Sequence, residues 1–366
     1  MSKIRILFFT NNFKRTGSEV VLFNLISKLD SALFQIGVIV LSEEGELINE
    51  LPSHITYHHL KTKYTLLNKV QHYFGADLLL SQLKIIQKEN RYSVWYINSL
   101  SPTYILKYAR NFNLKTICHI HELASNYSYI TSEVFELILK SNLIIACSQL
   151  VHEEISRVHN GHLEIVNSTI DVDFIDKFNL SSIPTTNNDE IIILCAGSVS
   201  YRKGTDIFIQ VANKLIDKKI KFVWIGQLSN TGYSSWIEKT HKSITNSNVE
   251  FVIPKNQKEY YTLIKRSSVY FSTSREESLG LTMLEAIYLG KPVIALNSGG
   301  ASLFIDNTNG LLINSLNINS ISLKLDDFIQ NKLESFNSSL NHSVFDKYNH
   351  LREFNNWQNL LKKVAL

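Results

Sequence analysis

Cysteine is scarce: three in 366 residues, too few for a disulfide framework. Cys118, Cys147 and Cys195 each stand in or beside an apolar run. Buried thiols of a reducing, cytoplasmic compartment fit that placement. Long hydrophobic runs are missing as well. None approaches the ~20 residues of a membrane-crossing helix, and the mean hydropathy is −0.04. Residues 1–9 carry Lys3 and Arg5 and no small-residue cleavage site, so they read as a first strand rather than a signal peptide. Charge is nearly balanced: 37 basic against 33 acidic residues leave +4. That balance gives no ground for a nucleic-acid partner, and it repels neither a phosphate nor an anionic membrane. Proline (5 residues) and alanine are sparse beside Asn, Ile, Lys and Ser, a composition that points to an AT-rich bacterial genome.

What is abundant is apolar: 44% hydrophobic against 19% charged residues, enough for a large core and against disorder. At roughly 150 residues per domain the length suggests two domains. Short β-branched runs alternate with longer amphipathic segments. The first series takes in residues 4–10, 35–41, 94–97, 115–121 and 143–147. A second takes in 191–196, 221–225, 249–253, 269–273 and 292–296. Continuous apolar strands with helices between them predict parallel sheets covered on both faces. Two series predict an α/β chain of two Rossmann-like, doubly wound domains facing a central cleft. Residues 177–190 carry the Ser, Pro, Thr and Asn cluster of a linker. The expected domains are therefore 1–176 and 188–343. Residues 344–366 are helical in pattern and either cap the second domain or cross back to the first.

Ligands of open α/β sheets bind at the carboxyl ends of the strands, so the chemistry is sought in those loops. In residues 272–296 a strand, a polar loop and a helix starting near Leu281 follow one another. Glu277 falls in the loop and Glu285 about one turn into the helix. The amides of Ser278, Leu279, Gly280, Leu281 and Thr282 can hold a diphosphate at the helix N-terminus. Two carboxylates beside an anion site make sense if they bind sugar hydroxyls. The plain alternative is a loop charge and a solvent-facing helix residue. In residues 196–206, Gly197 and Gly204 allow a tight path, Arg202 and Lys203 bring positive charge, and Thr205 or Asp206 can cap the next helix. An ordinary solvated basic pair would look the same. Residues 10–19 form another strand, Gly17-containing loop and helix start, which matches neither a dinucleotide fingerprint nor a P-loop. His119 and His121 share a strand face. No third metal ligand stands at a recognisable spacing. His119 reads as a packed core histidine, and His121 with Glu122 lies at the strand's carboxyl end.

Together these segments resemble the retaining glycosyltransferases of the two-Rossmann-domain (GT-B) architecture, family 4 (glycosyl transferases group 1). The family's two glutamates with seven residues between them match Glu277 and Glu285, with Gly280, Ala286 and Gly290-Lys291-Pro292 in place. Its Lys-Gly phosphate loop matches Lys203-Gly204, its N-terminal turn Thr16-Gly17-Ser18-Glu19, and its histidine-acid pair His121-Glu122. Ser298-Gly299-Gly300 and Asn309-Gly310-Leu311-Leu312 follow in order. Four positions depart from the pattern. Ser198 replaces an Arg, Thr16 a Gly, Ser168-Thr169-Ile170-Asp171 an Asn-Gly-Val-Asp, and Leu303 an acid. They bear on the donor-sugar contacts rather than the fold.

The resemblance implies transfer of a hexosyl group from a nucleotide-diphosphate sugar, UDP first, to an acceptor hydroxyl with retention. Arg202, Lys203 and the helix amides would stabilise the departing diphosphate, each donor contributing about 3 kcal/mol. Glu285 would bind the ribose, Glu277 the sugar or phosphate, and His121 would sit by the sugar. Gly17 and Gly197 would line the donor site. No metal or cofactor is expected, and Asp171-Val172-Asp173 reads as part of the domain junction. The expected acceptor is a saccharide, free or lipid-linked. Residues 61–74, with Lys61, Lys63, Lys69 and several aromatics, either touch an anionic inner membrane or pack on the sheet. The implied setting is cytoplasmic, in bacterial surface polysaccharide or lipopolysaccharide synthesis. A nucleotide-sugar epimerase or a catalytically degenerate nucleotide-sugar-binding protein is the alternative.

Overall fold

The computed structural model describes residues 3–60, 77–183, 191–216, 219–242, 248–334 and 344–365. The basic, aromatic segment 61–74 lies outside them. The chain divides into two compact units, Met1–Thr169 with Leu351–Leu366, and Ile170–His350.

The first unit holds a seven-stranded sheet: β1 (Ile4–Asn12), β2 (Phe34–Glu43), β3 (Ile55–Tyr57), β4 (Val94–Asn98), β5 (Lys115–Ile120), β6 (Leu143–Ala146) and β7 (Leu163–Ile165). Its order is β3-β2-β1-β4-β5-β6-β7, and every pairing is parallel. Side chains alternate across it. Leu7, Phe9, Trp95 and Ile97 join one core layer, while Ile6, Phe8, Val94 and Tyr96 join the other. Burial on both faces is why these strands are apolar throughout rather than at every second residue.

The second unit repeats the plan with β8 (Ile191–Ala196), β9 (Ile220–Ile225), β10 (Val249–Val252), β11 (Val269–Ser272), β12 (Val293–Leu296) and β13 (Gly310–Ile313). The order is β10-β9-β8-β11-β12-β13, again parallel. In each unit the winding direction reverses beside the first strand, between β1 and β4 and between β8 and β11. Those reversals open a crevice at the strands' carboxyl ends.

Two expectations differ from the structure, and one left open is decided. The structural division falls at Ile170, not after residue 176, because Ile175 of the helix Val172–Asp176 packs with Tyr261 and Leu284 in the second unit's core. The C-terminal helix His350–Ala365 crosses to the first unit, where Trp357 and Leu361 are fully buried against the β1/β4 layer. The helix Thr205–Lys214 has Gly204 at its N-cap and no side-chain cap, because the helix begins at Thr205, so neither Thr205 nor Asp206 stands at the cap position. Gly204 has φ +69°, and a Cβ there would overlap the Thr273 carbonyl, so only glycine fits this contact between the two loops.

Candidate functional site

The second unit's reversal point brings together the loop after β8 and the loop after β11. Glu277 is 6% exposed. Its carboxylate pairs with the Lys203 ammonium, accepts a 2.8 Å hydrogen bond from Ser274 Oγ, and lies 3.6 Å from Arg202 Nη1. Burial alone would raise the Glu277 carboxyl. The Lys203 and Arg202 charges and the hydrogen bonds outweigh it and hold the group below its ordinary value. Two cations against one carboxylate leave a net positive cluster, with Arg202 partly exposed. Gly197 ends β8, its carbonyl accepting from Trp224 Nε1 at 3.0 Å, and the Lys203 side chain runs beside it.

The helix Leu281–Tyr288 starts directly over this cluster's loop. Gly280 is its N-cap, with φ +98° and no side chain to bond the first-turn amides. Those amides carry the positive end of the helix dipole. Gly299 bridges to Glu277, and Gly300 donates to the Glu277 carbonyl at 2.7 Å. The Gly-Gly turn thus props the loop from behind. Leu279 and Leu281 face the core, so only their backbone is available to a ligand. Ser278 is half-buried. Thr282 Oγ1 accepts from Tyr270 OH at 2.7 Å.

Glu285 sits one turn on and is half-buried. Tyr260 OH donates to Oε2 at 2.7 Å and Tyr261 OH to Oε1 at 3.2 Å. Burial pushes its carboxyl up to about 7, against the two tyrosine bonds that lower it. A carboxylate raised by burial to near neutral titration and oriented by two tyrosines can act as a switchable acceptor for a diol.

At the first unit's reversal point the groups are polar and mostly buried. Gly17 opens the helix Gly17–Ser27, with open space around its Cα. Glu19 accepts from Thr16 Oγ1 and Ser18 Oγ. His121 follows β5, and its Nε2 lies 3.1 Å from Asn98 Oδ1 at the end of β4. Burial pushes the His121 imidazole down to about 3, so it is neutral. Glu122 bonds the Ser99 hydroxyl and the Leu100 and His121 amides, which ties the ends of β4 and β5 together. His119 is fully buried in the core against Tyr96.

Asp171 caps the helix Val172–Asp176 through Phe174 N at 3.2 Å, and Asp173 pairs with His350 at 3.1 Å. These three residues could each offer a ligand atom within 4.8 Å of one another. Asp171 is the helix's N-cap.

Three residues escaped the sequence pattern. Arg275 forms a bidentate pair with Asp206 at 2.7 and 2.6 Å, stacks over Tyr201 at 3.8 Å and donates to the Tyr201 carbonyl. It braces the Arg202-Lys203 loop against the Glu277 loop. No spacing rule signals it, because its partner lies 69 positions away. Tyr260 and Tyr261 were hidden for the same reason.

Residues 15–174 match the family model described as Glycosyltransferase Family 4, and residues 176–342 that of Glycosyl transferases group 1. With the two parallel α/β sheets, these matches support a glycosyltransferase of the GT-B type. The poly(ribitol-phosphate) alpha-N-acetylglucosaminyltransferase of Staphylococcus aureus is 24% identical over 319 residues, 81% of this chain and 61% of the relative. The D-inositol 3-phosphate glycosyltransferase of a Mycobacterium species is 20% identical over 53% of this chain and 46% of its own length. The match thus spans half to three-fifths of these relatives. Among solved structures, HepE of Anabaena, crystallised with UDP and glucose, aligns with a TM-score of 0.76 at 16% identity over 98% of this chain and 100% of HepE. Sucrose-phosphate synthase of Thermosynechococcus elongatus aligns at 0.77, with 16% identity and 98% of each chain.

Proposed function

We propose that the protein transfers a hexosyl group from a nucleotide-diphosphate sugar, with UDP the favoured nucleotide, to an acceptor hydroxyl with retention of the anomeric configuration. The observation that carries this reading is the net positive Lys203-Arg202-Glu277 cluster beside the uncapped N-terminus at Gly280. Charge develops on a departing diphosphate, and fixed donors aimed at it lower the barrier by about 3 kcal/mol each. Glu277 keeps the two cations in place before the donor arrives, so little rearrangement is needed at the moment of reaction. Glu285 accepts from the ribose hydroxyls. His121 sits by the donor sugar, with Gly17 at the acceptor-side turn. The leaving phosphate takes the acceptor's proton, so no enzymic nucleophile is named. The cationic cluster supplies the charge compensation, so the reading requires no cofactor.

The N-acetylglucosaminyl transfer to poly(ribitol-phosphate) named for one relative, and the UDP and glucose bound by HepE, support this donor class and a saccharide acceptor. The reading extends to a role in bacterial surface polysaccharide or lipopolysaccharide assembly, which the Staphylococcus aureus relative supports. Among the described residues no helix is long and apolar enough to cross a membrane. Cytoplasmic placement, with peripheral contact to the inner membrane at a lipid-linked acceptor, belongs to this reading. The test is UDP-glucose with simple alkyl glycosides as acceptors. Expected are UDP release and a product whose anomeric proton coupling matches the α-donor. An inverted product, or donor conversion without an acceptor, would refute the reading.

A further inference from the structure

The two carboxylates of the second unit are held by opposite means. Glu277 meets two cations, whereas among the described residues no cation pairs with Glu285. Two neutral phenols of the helix Gln257–Arg266 meet it instead, Tyr260 OH at one oxygen and Tyr261 OH at the other. An ionised carboxylate only accepts, so both phenols donate to it. Burial lifts the Tyr260 phenol well above its ordinary range, which keeps it a donor. The rings are fixed from behind. Tyr261 is 5% exposed, with the Phe178 ring 5.7 Å from its own. Tyr260 rests edge-on against Tyr261 at 5.0 Å. The other titratable groups around this helix are committed elsewhere. Tyr270 of β11 bonds Thr282 and the Ala196 backbone, Lys265 the Leu289 carbonyl at 3.1 Å, and Tyr288 Asp176 at 2.7 Å. Lys291 lies beyond the helix's C-terminal end, and burial pushes its amine down to about 7.

We propose that Tyr260 and Tyr261 are positioning residues, whose hydroxyls hold the Glu285 carboxylate in register for the ribose diol and make the site select ribose over 2′-deoxyribose. This rests on the nucleotide-sugar reading above. A diol donates, so its receptor must keep its negative charge unspent. Neutral donors orient the carboxylate without neutralising it, as a cation would. A carboxylate has about four lone-pair sites. The phenols take one on each oxygen, which leaves each oxygen an acceptor for one of two vicinal hydroxyls. A site that hydrogen-bonds a substrate hydroxyl rejects the analogue lacking it, provided that its own acceptor is held in place. Loss of the Tyr260 hydroxyl frees the carboxylate to turn. The two phenol bonds also favour the charged form, so Glu285 titrates lower than burial alone would have it.

Tyr260→Phe and Tyr261→Phe each remove one hydroxyl and keep the ring that packs, and two measurements on them test the role. The first compares binding of UDP-glucose with that of its 2′-deoxyuridine counterpart. The unaltered protein should prefer the ribonucleotide roughly tenfold, and Tyr260→Phe should cut that preference to below roughly threefold. Tyr261→Phe, which loses the longer bond, should cut it less. The second follows the Glu285 carboxyl in the ligand-free protein by ¹³C-glutamate labelling, with Glu285→Gln to assign the signal. It should titrate at about 7 in the unaltered protein and roughly one pH unit higher in Tyr260→Phe. Equal weakening of both nucleotides by Tyr260→Phe would show a merely structural role and overturn the proposal. An unmoved titration, or no ribose preference in the unaltered protein, would overturn it as well. Failure of UDP-, GDP- and ADP-sugars alike to bind would remove the functional reading, while the carboxyl titration would still decide whether the phenols hold Glu285.

Discussion

Glu285 is the residue whose chemistry is most open to measurement. Its carboxyl titrates near 7 because burial penalises the charge. If the carboxylate is the form that accepts ribose hydroxyls, nucleotide-sugar affinity rises from pH 6 to pH 8 and levels above it. A sugar nucleotide is the right probe, since its diphosphate does not titrate there. Glu285→Gln should bind more weakly and with no such dependence. The same shift has a stability consequence. The folded state holds this proton up to about 7, while an unfolded glutamate loses it near 4.3. Stability from this group is therefore full below the unfolded value and is lost as pH rises through 7. Glu285→Gln should accordingly raise the unfolding midpoint at pH 8, a gain in stability at the expense of binding. An unchanged midpoint together with unchanged affinity would place Glu285 outside the site. The spacing of Glu277 and Glu285 was legible in the sequence. Their different surroundings were not, because Lys203, Arg202 and Ser274 hold one carboxyl low while the other meets only two tyrosines and burial.

At the scale of elements, sequence pattern finds the interior strands, buried on both faces, and of the described edge strands only β10. β3, β7 and β13 escaped it. They are three or four residues long and stand at sheet edges, where one side has no neighbouring strand to demand a longer apolar run. The candidate loops were legible because the winding reverses between β1 and β4 and between β8 and β11, where open α/β sheets form their crevice. What joins two loops was not legible, and Arg275 is the clearest case. Its bidentate pair with Asp206 and its stack on Tyr201 make it a brace. Arg275→Ala should cost about 2 kcal/mol and weaken sugar-nucleotide binding. The double variant with Asp206→Asn should cost less than the sum of the two single changes. Strict additivity in denaturant titrations would show that the brace is not a unit.

At the scale of the molecule, the chain leaves its first unit after Thr169 and returns to it at Leu351. The amphipathic pattern of residues 345–366 revealed a helix but not its destination, since an apolar stripe does not name its partner. Trp357 settles it, fully buried beside Phe8 and Tyr96. Among the described residues, each unit has its own core layers. Trp357→Ala should therefore cost about 3–5 kcal/mol and do so locally. Hydrogen exchange should accelerate in β1 and β4 and stay unchanged in β8 and β11. Equal acceleration in both sheets would contradict independent cores.

The central claim is that a nucleoside diphosphate binds the second unit at Lys203, Glu277 and the Gly280 helix start. Thermal unfolding against UDP, GDP, ADP, CMP and their sugar conjugates tests it, with Lys203→Ala and Glu285→Ala alongside. A ligand at 100 times its dissociation constant adds about 2.7 kcal/mol, a rise of several degrees in the midpoint. The account predicts that rise for one nucleotide family, UDP first, and its near loss in both variants. No rise with any nucleotide, or a rise that both variants keep, would contradict it.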